Sequence, residues 1–181
     1  MGVSEQTVAT ILEAASHVLA LRGEAGSMTE VASAAGVGRS TLYRHFPTRE
    51  ALLEALTKMG LTEAGDRLAE AKLESVPPLE ALARAIRTIA VVGDRYIVLL
   101  EAQVSLDPAA SKRTVVDPLL RVIERGQAEG VIRTDIDAMS LLELLGGLIV
   151  VSIRLAAEHK TGVEETAATI QRVFVEGVQT R

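Results

Sequence analysis

The chain reads as an all-α protein of about nine helices, and three observations carry that reading. Apolar residues recur at helical spacing in most segments, no stretch alternates as a strand would, and glycines and prolines cut the pattern at helix-length intervals. The 181 residues include 48% hydrophobic and 24% charged side chains, the balance of a soluble globular protein with a real core. Cysteine is absent, which excludes disulfides, thiolate zinc sites and cysteine nucleophiles and suits a cytoplasmic setting. No basic stretch precedes an apolar run at the N-terminus, so no secretory leader is expected.

In chain order, Val8, Ile11, Leu12, Ala15, Val18 and Leu19 form one face of a first helix that ends near 23–26. Ser27 and Glu30 have capping-box spacing and open a short second helix that ends at Gly36. The spacing predicts a third helix over about 38–46. Pro47 and Thr48 then mark a new start, with Thr48 as N-cap of a long fourth helix to about residue 74. Gly60 and Gly65 lower its helix propensity and would allow a bend.

Pro77 and Pro78 open a fifth helix with a stripe of Leu79, Leu82, Ala83, Ile86, Ile89 and Ala90, closed by Gly93 and Asp94. A sixth is expected over about 95–105. Asp107-Pro108 and Asp117-Pro118 each have the form of an N-cap followed by proline at the first helical position. The second pair either starts a new helix or sits early in a longer one, which stops at Gly130. Two strongly apolar segments follow, 138–157 and 163–178, parted by Thr161-Gly162. The first has the length of a membrane span, but Glu143 and Arg154 lie within it, and a helix buried on several sides is expected instead.

The net charge of −5 does not suggest a nucleic-acid partner, so distribution decides. Residues 1–58 hold five Lys/Arg against six Asp/Glu, yet 36–49 hold three Arg, one His and no acid. Residues 27–53 therefore read as two short helices joined by Gly-Val-Gly and followed by a third helix, the layout of a helix-turn-helix. Arg39, Ser40 and Thr41 begin the second short helix, where side chains reach base edges in the major groove. Arg39 could pair with guanine or hold a phosphate, the Thr41 methyl could meet thymine, and the Tyr43 phenol suits phosphate. Leu42 and Phe46 would anchor this helix to Val31, Val37 and Leu52.

The string AGVGRSTLYRHFPTREALL strongly resembles the DNA-binding region of tetracycline-repressor (TetR) family transcription regulators. The matching features are Ala35-Gly36-Val37, Thr41-Leu42-Tyr43, Arg44-His45-Phe46, Pro47, Thr48 and Arg49. The resemblance is specific from about residue 11 to 56 and architectural beyond, where 124–130 (ERGQAEG) and 132–135 (IRTD) look like the segment before the dimer helices of many members.

The resemblance implies that Ser27 caps helix two beside a phosphate, that Tyr43 and Arg49 hold phosphates, and that Arg39, Ser40, Thr41 and Arg44 or His45 face bases, with Thr48 beside them. Two departures stand out: Gly38 replaces a common capping serine, and Ser40 replaces a common glycine. The resemblance also implies a helix-turn-helix domain over 1–50, and a helical regulatory and dimerisation domain over 51–181. The chain would then be a repressor, released from a palindromic double-stranded operator by a small-molecule effector.

Ligand candidates are Met59 on the fourth helix and Arg95, Tyr96, Glu101 and Gln103 on the middle helix. The body holds one Tyr and one Phe, Tyr96 and Phe174, which favours an aliphatic pocket over an aromatic cage. The homodimer interface is expected at Leu141, Leu145, Leu148, Ile149, Ile170 and Phe174, with Gly146-Gly147 allowing close approach. An enzyme is disfavoured: His17, His45 and His159 lack metal-ligand spacing, and no Walker loop, nucleophile elbow or dinucleotide fingerprint occurs. No metal, cofactor or membrane partner is expected. A helical scaffold protein is the rival reading, and it leaves the basic run at 39–49 without a purpose.

Overall fold

The computed structural model describes residues 3–96, 107–159 and 161–180, without the side chains of Val3 and Glu24. Regular structure among them is helical, apart from one isolated bridge between Ile132 and Gln179. The all-α expectation holds. The chain forms two compact units: Met1–Gly60 with Arg95–Leu106, and Leu61–Asp94 with Asp107–Arg181. The expected sixth helix lies almost wholly outside the described residues.

Unit one is built on α1 (Val3–Arg22), α2 (Met28–Ala34), α3 (Arg39–His45) and the start of α4 (Arg49–Glu70). α1 buries Ile11, Ala15 and Leu19, a stripe at helical spacing, and these form one core with Val31 and Ala32 of α2, Leu42 of α3, Phe46, and Leu52, Leu53 and Leu56 of α4. Each short helix is stopped by local chemistry. Ser27 and Glu30 complete a capping box at the start of α2. Gly36 follows its end with φ +65°, the left-handed region where a side chain is strained. Gly38 caps α3 without a side-chain bond, as the missing serine implies. Thr48 Oγ1 accepts the Ala51 amide at 3.2 Å and starts α4.

Gly60 sits in close approach rather than at a break, because a Cβ there would lie 3.1 Å from the Tyr96 ring. α4 runs through both Gly60 and Gly65 and stops at Glu70, four residues short of the expected end. The cause is Lys72, which takes the left-handed conformation (φ 49°, ψ 50°) and leads into a 3-10 turn at Leu73–Ser75.

Unit two continues with α5 (Pro78–Arg95), α6 (Pro108–Ser111), a π-turn (Lys112–Val116), α7 (Asp117–Ala128), α8 (Ala138–His159) and α9 (Val163–Val178). Leu82 and Ile86 of α5, Leu119 and Ile123 of α7, Leu145 of α8 and Ile170 of α9 are fully buried. α8 packs on α7 and on α9. By length and composition α8 could cross a membrane, but Leu141, Leu142, Leu145, Ile149 and Ile153 are buried along one side of it.

One expectation needs correction here, and one open choice is decided. Gly93 does not close α5. It lies inside the helix, and a Cβ there would lie 2.3 Å from Ile153 Cδ1, so it is a packing contact. Asp117 does not cap a new helix, since its backbone is helical (φ −61°, ψ −42°). Pro118 has no N–H to give a carbonyl one turn back, and the chain meets this with the π-turn, whose Asp117 amide bonds Lys112 O. Asp107 does cap α6, accepting the Ala109 amide at 2.9 Å.

Arg125 of α7 ties the turn after α4 in place, donating to the carbonyls of Glu74, Leu73 and Val76 at 2.9, 3.1 and 2.7 Å. Gly130 ends this region with φ +73°. Beyond it, the connector pairs with the end of α9: Arg133 N donates to Val178 O at 2.9 Å, and Thr180 N to Val131 O at 3.1 Å.

Candidate nucleic-acid interface

α3 divides its seven residues between two jobs, and the division follows from helical spacing. Leu42 and the adjacent Phe46 point into the unit-one core. Arg39, Ser40, Tyr43 and Arg44 are exposed, with Thr41 and His45 half-buried between the two faces. Tyr43 is 40% exposed. Nothing acidic lies between residues 36 and 49 to neutralise the three arginines. The exposed side therefore carries guanidinium, hydroxyl and phenol donors, the groups that bind phosphate oxygens and base edges.

Flanking donors come from the ends of two neighbouring helices. Ser27 is exposed at the start of α2, and Thr48 is exposed at the start of α4. Ser27 exchanges bonds with Glu30: its amide donates to Glu30 Oε2 at 2.9 Å, its hydroxyl donates there at 2.9 Å, and the Glu30 amide donates to Ser27 Oγ at 3.2 Å. Arg22 adds a salt bridge to Glu30 at 3.2 Å. The Ser27 amide, its hydroxyl and then Arg22 hold the Glu30 carboxyl below its ordinary 4.5. Glu30 is thereby engaged within the protein. Glu50 is likewise held low, chiefly by a backbone hydrogen bond from its own amide and by the Thr48 hydroxyl.

Arg49 has a further partner that spacing along the chain did not suggest. Its Nη1 donates to Gly26 O, which joins the first residue of α4 to the backbone just before α2. The residue is half-buried. The signal available in the sequence was a lone arginine after Thr48, and nothing in it named a carbonyl 23 positions earlier.

Three of the five ligand candidates, Met59, Arg95 and Tyr96, lie among the described residues. Met59 is half-buried on α4. Tyr96 is buried, its ring lies against Gly60, and the Arg95 guanidinium carbon stands 5.6 Å from the ring centroid. Arg95 Nε also donates to Ser16 Oγ at 3.3 Å, so this arginine is tied to α1. Glu101 and Gln103 lie outside the described residues. A cleft of about 590 Å³ occurs in unit two, and Met59, Arg95 and Tyr96 do not line it.

The residues expected at a dimer interface are mostly core. Leu141, Leu145, Ile149, Ile170 and Phe174 are buried within the single chain, and Leu148 is half-buried. Their helices expose a different apolar set: Met139, Leu144, Val150, Val151 and Leu155 on α8, and Val173 on α9. Leu144 and Val173 are each 59% exposed. Helical spacing showed that both helices are apolar on more than one side, but could not say which side the chain covers itself. A Cβ at Gly146 or Gly147 would meet no atom within 4 Å, so this flank is open.

Comparison with known proteins agrees with the geometry. The family model described as bacterial regulatory proteins, tetR family, matches residues 11–56. The HTH-type transcriptional regulator NfxB of Pseudomonas aeruginosa is 31% identical over 157 residues, covering 83% of this chain and 83% of its own length. The HTH-type transcriptional repressor LfrR of Mycolicibacterium smegmatis is 31% identical over 131 residues, covering 71% of this chain and 69% of its own. The crystal structure of LfrR in complex with proflavine superposes with a TM-score of 0.78 at 25% identity, over 99% of this chain and 100% of that one. With these matches the chain belongs to the tetR family of bacterial regulatory proteins.

Proposed function

We infer that the protein is a transcriptional repressor that binds a pseudo-palindromic operator as a homodimer and leaves it when a small molecule binds. The observation that carries the DNA reading is the exposed side of α3, where Arg39, Ser40, Tyr43 and Arg44 lie in a segment without acids while Leu42 fixes the helix from below. Arg39 at the first helical position and Ser40 and Thr41 behind it are assigned to base edges, with Arg44 and His45 beside them. Tyr43, Ser27, Thr48 and Arg49 are assigned to phosphates.

One recognition helix reads only a few base pairs, so a second copy is needed for a long and specific site. The exposed apolar side of α8 and α9, around Leu144, Val151 and Val173, supports that pairing. The domain assignment that goes with this reading is a DNA-binding module over 1–50 and a regulatory, dimer-forming body over 51–181. A small-molecule response is supported by kinship with LfrR, whose structure holds proflavine. Such a molecule acts only through tighter binding to the conformation that does not fit DNA.

Selection from random duplex DNA tests the reading. The expected product is a motif with two inverted halves, bound with an affinity that falls steeply as salt rises. Recovery of no motif would leave the scaffold reading in its place.

A further inference from the structure

Unit two holds an open cleft of about 590 Å³, inside the common range for small-molecule sites of roughly 300–1,000 Å³. The last turns of α4, the Leu73–Ser75 turn, the π-turn and the start of α7 surround it. Leu68 and Leu73 are buried at its apolar floor, with Pro118 beside them. The rim carries Lys72, Arg113 and Arg121 against Asp66 and Glu74. Arg121 and Glu74 face each other at 3.6 Å and offset one another. Lys72 and Arg113 make no salt bridge among the described residues, and with Asp66 they leave the rim one positive charge in excess.

Two departures from regular backbone place those cations. Lys72 is the only non-glycine residue with positive φ among the described residues, at the helix-ending position glycine prefers. The fold thus keeps a lysine at the rim against a conformational strain that glycine would remove. The π-turn puts Arg113 and Thr114 on the opposite wall, and π-turns recur at binding sites. Gly65 lets that wall approach α4, since a Cβ there would lie 3.1 Å from Thr114 Cβ.

We propose that this cleft binds a small amphipathic carboxylate, its aliphatic body on Leu68, Leu73 and Pro118 and its carboxylate held by Lys72 and Arg113. The binding requires neither an operator nor a second subunit, so it stands or falls separately from the DNA reading.

Calorimetric titration of the full chain with octanoate, octan-1-ol and octylammonium tests it. Octanoate is expected to bind about tenfold or more tighter than either analogue of the same chain length. Lys72→Gly is expected to raise the thermal midpoint, because the left-handed backbone relaxes, and still to weaken octanoate about tenfold. Arg113→Met should weaken it similarly with the midpoint unchanged. No octanoate binding at about 10 mM would overturn the assignment, as would equal binding of octan-1-ol or full affinity in Lys72→Gly.

Discussion

At Ser27 and Glu30, two side chains satisfy amides that the start of α2 would otherwise leave to water. Ser27→Ala should cost about 1 kcal/mol of stability, read as a lower midpoint in urea. Glu30 makes that contact sensitive to acid. Its carboxyl is held below 4.5 in the fold, so its contribution is complete above that value and disappears as pH falls through the lowered one. Melting wild type and Glu30→Gln between about pH 3 and pH 7 should show a gap at neutral pH that closes at the acid end.

The exposed donors of α3 make separable predictions. Arg39→Ala should cost about 1–3 kcal/mol at its own base position and relax preference there. Tyr43→Phe should weaken all sequences alike and leave the salt dependence nearly unchanged, because the lost phenol carries no charge. Mobility-shift titrations over matched and single-substituted sites distinguish the two. The caps at Ser27 and Thr48 and the buried Leu42 and Phe46 were legible in the sequence because each acts within a few residues of its own position. The Arg49 bond to Gly26 was not, because it depends on how two helices meet.

Among the helices, glycines that look alike in sequence have different work. Gly36 and Gly130 have positive φ and end helices, as their positions suggested. Gly60, Gly65 and Gly93 lie inside helices against Tyr96, Thr114 and Ile153, which no propensity argument could show. Gly126 is the most confined. A Cβ there would lie 2.4 Å from Ile132 Cδ1, 2.7 Å from its Cγ1 and 3.1 Å from Pro78 Cβ. Gly126→Ala should therefore destabilise by about 1–3 kcal/mol despite the better helix former. Gly93→Ala meets chiefly the tip of Ile153, which can turn away, so denaturant titration should find it close to neutral. Pro118 was open to two readings, and the fold takes the one within a longer helical stretch. It has the look of a helix start, and the π-turn that absorbs it has no signature in spacing.

For the whole molecule, the all-α class and the helix-turn-helix were readable because apolar period, caps and basic run all agree over a short stretch. The surfaces of the body were less readable. An apolar helix declares that it is covered, and leaves open whether its own chain or another copy does so. Leu144→Glu and Leu145→Glu separate these cases. Leu144 is mostly exposed, so the charge should leave helix content intact and halve the mass seen by sedimentation at micromolar protein. Leu145 is fully buried, so the same change should unfold the body. The cleft of unit two escaped sequence reading for a related reason: Lys72 and Arg113 look like ordinary surface cations, and only the fold brings two distant segments to one rim.

The hook from Arg49 to the Gly26 carbonyl has a consequence for how operator release would proceed. The first residue of α4 is fastened to the backbone that leads into α2, so a roll of α4 hauls the reading head along as one stiff piece. Under the proposed function, release would then be a swing with α2 and α3 still folded, and their amides should exchange with deuterium as slowly after the protein leaves its operator as before.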